Sequence, residues 1–240
     1  MSQLKVGIIG CQGRMGKALT DASQQSEDIN LIGGTTSNET PDVIIKEADV
    51  IFDFTTPEAT VNHAALAAKY GTSLIVGTTG LSADDEAALK SAAVKIAIVY
   101  ASNFSTGVNL LFYVTELMAS KLDESFDIEI NGMHHRDKVD APSGTALSFG
   151  HFAAKGRGKE LENITRDNIR KKGDIGFTSL RGGNVAGEHT ISFNANDERV
   201  EISHKAGSSE IFASGAIKAA LWVADKPAGL YDMADVLDLK

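Results

Sequence analysis

The sequence predicts an α/β protein in two parts, a Rossmann-type parallel sheet domain followed by an α+β domain with a mixed or antiparallel sheet. Three observations carry this prediction. From Lys5 to Tyr100 short β-branched runs alternate with helical stretches, the pattern of parallel β-α-β units. A glycine-rich turn follows the first run directly. Beyond about Asn103 the alternation gives way to successive strands separated by glycine or Asn-Asp turns, a mark of antiparallel neighbours.

The elements read as follows. Lys5 to Ile9 is a strand ended by glycines, and Ala18, Leu19 and Ala22 lie at helical spacing in Lys17 to Gln25. Strands are predicted at Ile29 to Gly33, Val50 to Phe54, Ser73 to Val76 and Ile96 to Tyr100. Their nearly continuous hydrophobicity suits a sheet covered on both faces. Helices are predicted over Pro57 to Tyr70 and Ser82 to Ala93. Thr56 before Pro57 marks one helix start, and Ser82 with Asp85 resembles a capping box with Asp in place of Glu or Gln. A helix over Gly107 to Leu122, an alternating strand over Phe126 to Met133, a polar loop from His134 to Gly144 and a short helix into Ala154 come next. After a charged stretch from Lys155 to Gly173, strands are predicted at Gly176 to Leu180, Glu188 to Asn194 and Arg199 to Lys205, then a helix from Ile211 to Ala224. Residues 1–104 are thus assigned to dinucleotide binding and 105–210 to substrate binding and oligomerisation. Whether 211–240 returns to the first domain stays open.

Composition excludes several classes. A chain of 240 residues with 42% hydrophobic content can bury real cores. Its 32 acidic and 23 basic residues give a net charge of -9, so no global field draws it to nucleic acid or anionic lipid. The single cysteine, Cys11, cannot form an internal disulfide and fits a reducing compartment. No run of roughly 18 apolar residues is present. The expected address is the cytoplasm, with no membrane partner.

The first chemical motif is Gly10-Cys11-Gln12-Gly13-Arg14-Met15-Gly16, between a strand and a helix. Glycines let the backbone approach a pyrophosphate, whose charge the helix start attracts. The spacing departs by one residue from G-x-G-x-x-G, and such turns also occur for packing alone. Gly77-Thr78-Thr79-Gly80 and Ala101-Ser102-Asn103-Phe104 follow later strands, at the carboxyl edge where parallel sheets bind ligands. At the ribose position the second strand runs into Thr35-Thr36-Ser37-Asn38, and Glu39 falls too late to supply the usual carboxylate. The cofactor is therefore read as NADPH or NADH, with a lean toward NADPH.

The second motif is His134-His135-Arg136-Asp137-Lys138-Val139-Asp140-Ala141-Pro142-Ser143-Gly144-Thr145. Four cationic or ionisable bases within five residues supply local attraction for an anion. A helix starting at Ser143 or Gly144 adds free N–H groups. In extended backbone His134 and His135 point to opposite faces, so one faces the reacting carbon while the other packs or holds substrate. Coordination of a metal with Asp137 and Asp140 is the competing reading, but histidines on opposite faces chelate one ion poorly; no metal is expected. A solvated basic loop is the bland alternative.

The two motifs together, with Arg181-Gly182-Gly183, Gly187-Glu188-His189-Thr190 and Gly229-Leu230-Tyr231-Asp232-Met233, resemble the 4-hydroxy-tetrahydrodipicolinate reductase family, also called dihydrodipicolinate reductase, over essentially the whole chain. The resemblance implies an oxidoreductase of lysine and diaminopimelate biosynthesis that delivers hydride from NADH or NADPH to a cyclic imine dicarboxylate, as a homotetramer joined through the second domain's sheet. It implies His134 as proton donor, Lys138 as second catalytic group, and His135, Gly144 and Thr145 as substrate contacts. The cofactor contacts expected from the glycine turn and the strand-end loops are Gly10, Cys11, Gln12, Gly13, Arg14, Met15, Thr36, Gly77, Thr78, Thr79, Ala101, Ser102, Asn103 and Phe104. One departure is plain: the acidic-basic pair that family members often carry after the second strand is replaced by Thr36 and Ser37. A dehydrogenase of another amino or keto acid, and a dinucleotide sensor without turnover, are the alternatives.

Overall fold

The computed structural model describes residues 3–161 and 170–240, so the middle of the charged stretch from Lys155 to Gly173 lies outside the described residues. The chain divides into two compact units, Met1–Thr106 with Ser209–Lys240, and Gly107–Ser208.

The first unit holds β1 (Leu4–Ile9), α1 (Arg14–Gln25), β2 (Ile29–Thr35), α2 (Asp42–Glu47), β3 (Val50–Asp53), α3 (Pro57–Tyr70), β4 (Ser73–Val76), α4 (Ala83–Ala93) and β5 (Ala97–Tyr100). After the second unit the chain returns with α7 (Glu210–Val223), β10 (Gly229–Tyr231) and α8 (Met233–Val236). Six strands pair in the order β10-β5-β4-β3-β1-β2, all parallel. One face packs β1 and β3 side chains such as Val6 and Phe52 against Leu19 of α1 and Ala216, Ala219 and Ala220 of α7. The other buries Ile51, Leu74 and Ile98 against Ile45, Ala67 and Leu89. Cover on both faces explains strands that are apolar at successive positions rather than alternating.

Local signals set the helix starts. Thr56 accepts a hydrogen bond from the Ala59 N–H at 3.4 Å ahead of Pro57. Ser82 and Asp85 form a reciprocal capping box. Three elements were not anticipated: α2, β10 and α8 are six, three and four residues long, too short for periodicity to register.

The second unit holds α5 (Thr106–Lys121), β6 (Asp127–His134), α6 (Gly144–Gly156), β7 (Ile175–Arg181), β8 (Glu188–Asn194) and β9 (Arg199–Lys205), with the first residue of α5 at its boundary. The strand order is β7-β6-β8-β9, with β6 parallel to β7 and antiparallel to β8. The sheet is mixed, one of the two forms expected, because β6 inserts between β7 and β8 and takes β7 in parallel, while β8 and β9 form the expected hairpin. One boundary is corrected. His134 is the last residue of β6 rather than the first of a loop, since its ladder continues opposite Arg181. Burial alternates along β6, putting Ile128, Ile130 and His134 on one face. That face meets Phe149, Ile191 and Phe193 in one core. Among the described residues no helix is long and apolar enough to cross a membrane.

Phe193 is fully buried in this core, so Phe193→Ala is expected to cost about 3–5 kcal/mol. Urea unfolding of the full chain checks this, and a loss under about 1 kcal/mol would show that the core collapses around the gap.

Candidate active site

The second motif becomes a compact cluster at one end of β6 and β8. Both strands place histidine on their buried face: His134 is 7% exposed and His189 4%. Their rings meet edge to face with centroids 5.0 Å apart. His189 Nε2 lies 3.0 Å from Ser143 Oγ. Ser143 is the N-cap of α6 and its Oγ accepts the Ala146 N–H at 3.1 Å. A hydroxyl has one proton and two acceptor lone pairs, so Ser143 can still either donate to or accept from His189 Nε2, according to the ring's tautomer. A short chain of contacts thus runs from the His134 ring through His189 to the start of α6.

His134 itself is buried, and its Nδ1 has no hydrogen-bond partner among the described residues. A buried polar atom without a partner costs free energy, which a ligand or water can recover. Burial, then the positive charges of Lys138 and Arg181, lower the pKa of this imidazole below its usual value. Lys138 Nζ sits 2.7 Å from Asp140 Oδ1. Burial raises the Asp140 pKa, but the hydrogen bond and charge of Lys138 outweigh it and hold the carboxyl below its usual range. His135 is half-buried, and its carbonyl accepts the Lys138 N–H at 3.2 Å, closing the turn that brings Lys138 back toward β6. A Cβ added at Gly144 would meet nothing within 4 Å, so the first turn of α6 is open at that point. His134, Lys138 and the α6 start are therefore assembled by one strand, one turn and one helix cap. Among the described residues no group of three or more His, Cys, Asp or Glu side chains is arranged to hold a metal ion.

The first motif lies at the carboxyl ends of the parallel strands. Gly10 takes a left-handed φ of 77°, and the Gly10 and Cys11 N–H groups both donate to the Thr35 carbonyl at 2.8 and 3.1 Å, tying the turn to the end of β2. A Cβ at Gly16 would fall 2.2 Å from the Gly10 carbonyl oxygen, so α1 packs against the turn as only glycine allows. Gly13 is the N-cap of α1, no side chain caps it, and its first turn has no acidic residue. Gln12, Gly13 and Arg14 are exposed, and Cys11 and Met15 half-exposed. Uncapped N–H groups with no competing carboxylate suit a pyrophosphate, so these residues fit a dinucleotide.

The later loops divide. Thr79 and Ser102 are exposed and Ala101 is half-exposed. Thr78 is buried, and its Oγ1 takes the Thr55 N–H at 3.0 Å and lies 2.8 Å from Thr60 Oγ1. A Cβ at Gly77 would overlap the Phe54 ring. Phe104 is core, 5.3 Å from Phe54 between ring centroids. The Asn103 side chain is buried and takes the Ser105 N–H at 2.8 Å. The side chains of Thr78, Asn103 and Phe104 shape these loops from within. Beneath them Asp53 is fully buried: Oδ1 accepts from the Thr55 backbone and hydroxyl at 3.1 and 2.6 Å, and Oδ2 lies 2.8 Å from His63 Nδ1. After β2, the Glu39 carboxylate folds back to accept the Thr36 N–H at 2.8 Å and hydroxyl at 2.9 Å.

Comparison with known proteins bears on both units. A family model described as dihydrodipicolinate reductase, N-terminus, matches residues 4–104, and one described as dihydrodipicolinate reductase, C-terminus, matches 107–237. The chain belongs to the dihydrodipicolinate reductase family. The 4-hydroxy-tetrahydrodipicolinate reductase of Zymomonas mobilis is 46% identical over a 251-residue alignment, covering 99% of this chain and 98% of the relative. That of Rhodopseudomonas palustris is 44% identical, covering 100% and 99%. A dipicolinate-bound dihydrodipicolinate reductase from Paenisporosarcina sp. TG-14 shares the fold, with a TM-score of 0.78 at 23% identity over 96% of this chain and 97% of that one.

Two residues of the cluster carried no role in the sequence reading. Arg181 donates from Nε to the Lys138 carbonyl at 2.9 Å and from Nη2 to the Asp140 carbonyl at 2.6 Å, pinning the loop that carries Lys138. Nothing local announces such long-range contacts. His189 did leave a signal: it shares parity with Ile191 and Phe193 on an alternating strand, which marks it as inward-facing.

Burial, followed by the nearby His134, His204 and Lys138, pushes the His189 pKa down to about 3. Above pH ~6.5 the ring is neutral both folded and unfolded. Below that value only the unfolded chain takes up the proton, so this group withdraws stability as pH falls toward about 3. Each pH unit in that window costs at most about 1.4 kcal/mol. Urea unfolding at pH 7.5 and 5 is expected to show a smaller pH-dependent loss in His189→Gln than in wild type; equal losses would mean that His189 is solvated.

Proposed function

We propose that this reductase delivers hydride from NADPH or NADH to the cyclic imine dicarboxylate derived from 4-hydroxy-tetrahydrodipicolinate, giving tetrahydrodipicolinate in the route to lysine and diaminopimelate. What carries the reading is His134, buried with a ring nitrogen that lacks a partner, in one cluster with Lys138 and the open start of α6. Family membership of both units supports it.

When bound at the Gly10 to Gly16 turn, the reduced nicotinamide supplies the hydride, and the turn holds its pyrophosphate. His134 in its protonated form donates a proton to the electron-rich centre that hydride addition creates. Lys138, freed from Asp140, pairs with one substrate carboxylate, and the Gly144 and Thr145 N–H groups take its oxygens at the positive end of α6. Asp140 therefore holds the lysine head in place until a stronger anionic partner replaces it. His135 contacts substrate from the opposite side of the strand end. Overall, substrate, NAD(P)H and one proton give product, NAD(P)+ and the water lost with the hydroxyl. With its net charge of -9 and one cysteine the protein acts in the cytoplasm, without nucleic acid or membrane partners. It assembles as a homotetramer through the sheet of the second unit, whose β9 is exposed from Arg199 to Glu201 and at Ser203 and Lys205.

Loss of reduced-cofactor absorbance, with the condensation product of pyruvate and aspartate semialdehyde as substrate, tests the activity. His134→Gln is expected to lower kcat about 10²- to 10⁴-fold with a smaller effect on KM. Lys138→Ala is expected to raise KM and lower kcat together, by roughly 1.5–3 kcal/mol in kcat/KM. Both variants should bind cofactor normally. Because the acid must be protonated, kcat/KM should fall as pH rises through a value below the usual histidine pKa, and Lys138→Ala should move that value up by removing a depressing charge. A His134→Gln enzyme with near wild-type kcat would transfer the proton-donor role elsewhere.

Light scattering at micromolar concentration is expected to give the mass of a tetramer. A monomer would remove that part of the proposal.

A further inference from the structure

The loop from His135 to Ala141 carries Lys138 but has no apolar anchor of its own. Asp137, Asp140 and Ala141 are exposed, and Val139 is 95% exposed. With so little buried surface, the place of such a loop is set by its polar bonds. Those bonds come chiefly from Arg181-Gly182-Gly183 at the end of β7, a run of residues that the proposed chemistry has not used. The Gly182 N–H donates to the His134 carbonyl at 3.0 Å, and the Gly183 carbonyl accepts the Arg136 N–H at 3.2 Å. Gly183 turns the chain there with a left-handed φ of 52°, which glycine adopts without strain. Arg181 reaches further along the loop, donating from Nε to the Lys138 carbonyl at 2.9 Å and from Nη2 to the Asp140 carbonyl at 2.6 Å. Its Nη1 donates to the Leu180 carbonyl at 2.9 Å. All three acceptors are backbone oxygens, so what the guanidinium holds is the path of the chain on either side of Val139.

We propose that Arg181 is a positioning residue of the reductase, its guanidinium fork fixing the Lys138 loop and so setting where the lysine head meets a substrate carboxylate. That role rests on the proposed pairing of Lys138 with substrate. A lysine stem is long and flexible, so the reach of its head is only as well defined as the backbone that bears it. The planar guanidinium presents its donors in a fixed geometry and holds two carbonyls at one spacing, which a single ammonium does not. The mounting of the fork matters as much as its shape. Arg181 stands opposite His134 in the β6–β7 ladder, so the group that fixes Lys138 is level with the proton donor. The separation of acid and carboxylate-binding group is thereby set by a strand pair instead of an exposed loop. A displacement of about 1 Å at such a site is enough to cost roughly 10²-fold in rate. Asp140 belongs to the same device: its carbonyl is gripped by Arg181 while its carboxylate lies 2.7 Å from Lys138 Nζ.

The test variant is Arg181→Lys, made in the full-length protein alone and together with Lys138→Ala, and assayed with the condensation product of pyruvate and aspartate semialdehyde. Lysine retains the positive charge that, after burial and Lys138, lowers the His134 pKa, so what the substitution removes is the fork. Arg181→Lys is expected to repeat the Lys138→Ala defect in weaker form, with KM raised, kcat lowered and kcat/KM down about tenfold. In the Lys138→Ala background there is no lysine head to place, and the same change should cost less than about twofold. A structural role alone would cost the same factor in both backgrounds, and that result overturns the proposal. So does an Arg181→Lys enzyme with wild-type kinetics. Arg181→Gln, which removes fork and charge together, is the second variant and should lower kcat/KM at least as far, again mainly where Lys138 is present. Urea unfolding of each protein checks that folded chain is being assayed. A wild type that leaves the condensation product unreduced removes the proposed function itself, and an unimpaired Lys138→Ala enzyme removes the role of Lys138; the positioning role of Arg181 falls with either.

Discussion

Covering a parallel sheet on both faces leaves the chain few places to be polar. In the first unit Val50, Ile51 and Phe52 are successive and fully buried, so polar chemistry is displaced to the strand ends. At the carboxyl ends of β1, β2, β3, β4 and β5 stand Gly10, Thr36, Asp53, Gly77 and Ala101 in turn. The loops there are shaped more by internal bonds than by exposed polar groups. The buried Asp53 carboxylate satisfies Thr55 and His63, and Thr78 ties its own loop to Thr55 and Thr60. A polar group that far from water is tolerated because it is partnered. Beside them Thr79, Ser102 and the start of α1, which no side chain caps, are exposed at the same edge of the sheet.

The second unit uses a different constraint for the same end. Its sheet alternates, so the buried face of β6 and β8 has to end somewhere, and it ends in two histidines. Keeping His189 neutral is the cost of placing it against Phe149, 5.9 Å between ring centroids, and it can then serve Ser143 as a neutral hydrogen-bond partner. Helix α6 is thereby started at a fixed place relative to His134. Arg181 does the equivalent for Lys138 through two backbone carbonyls. The groups that carry the proposed chemistry are thus held by residues that never need to touch substrate, which is how small errors in position are avoided.

Much of this was legible in the sequence. The strands of the first unit, the Thr56 and Ser82 caps, the glycine turn ahead of α1 and the opposition of His134 to His135 all follow from period, propensity and the stereochemistry of glycine and proline, which act over a few residues. The residues of the second motif were legible because an uncommon density of ionisable groups next to a helix start has few purely structural uses.

Tertiary structure alone decided the rest. That β6 lies between β7 and β8, that α7, β10 and α8 rejoin the first unit, and that Arg181 reaches the Lys138 loop are pairings across tens of residues. The entropy of closing such loops varies so slowly with their length that local sequence hardly registers it. The position of the Glu39 carboxylate is the sharpest case. Residue order puts it three residues beyond Thr36, and only the turn, together with the length of a glutamate side chain, brings it back to the Thr36 N–H and hydroxyl. Sequence fixes which groups the chain carries; distances between side-chain atoms belong to the folded backbone.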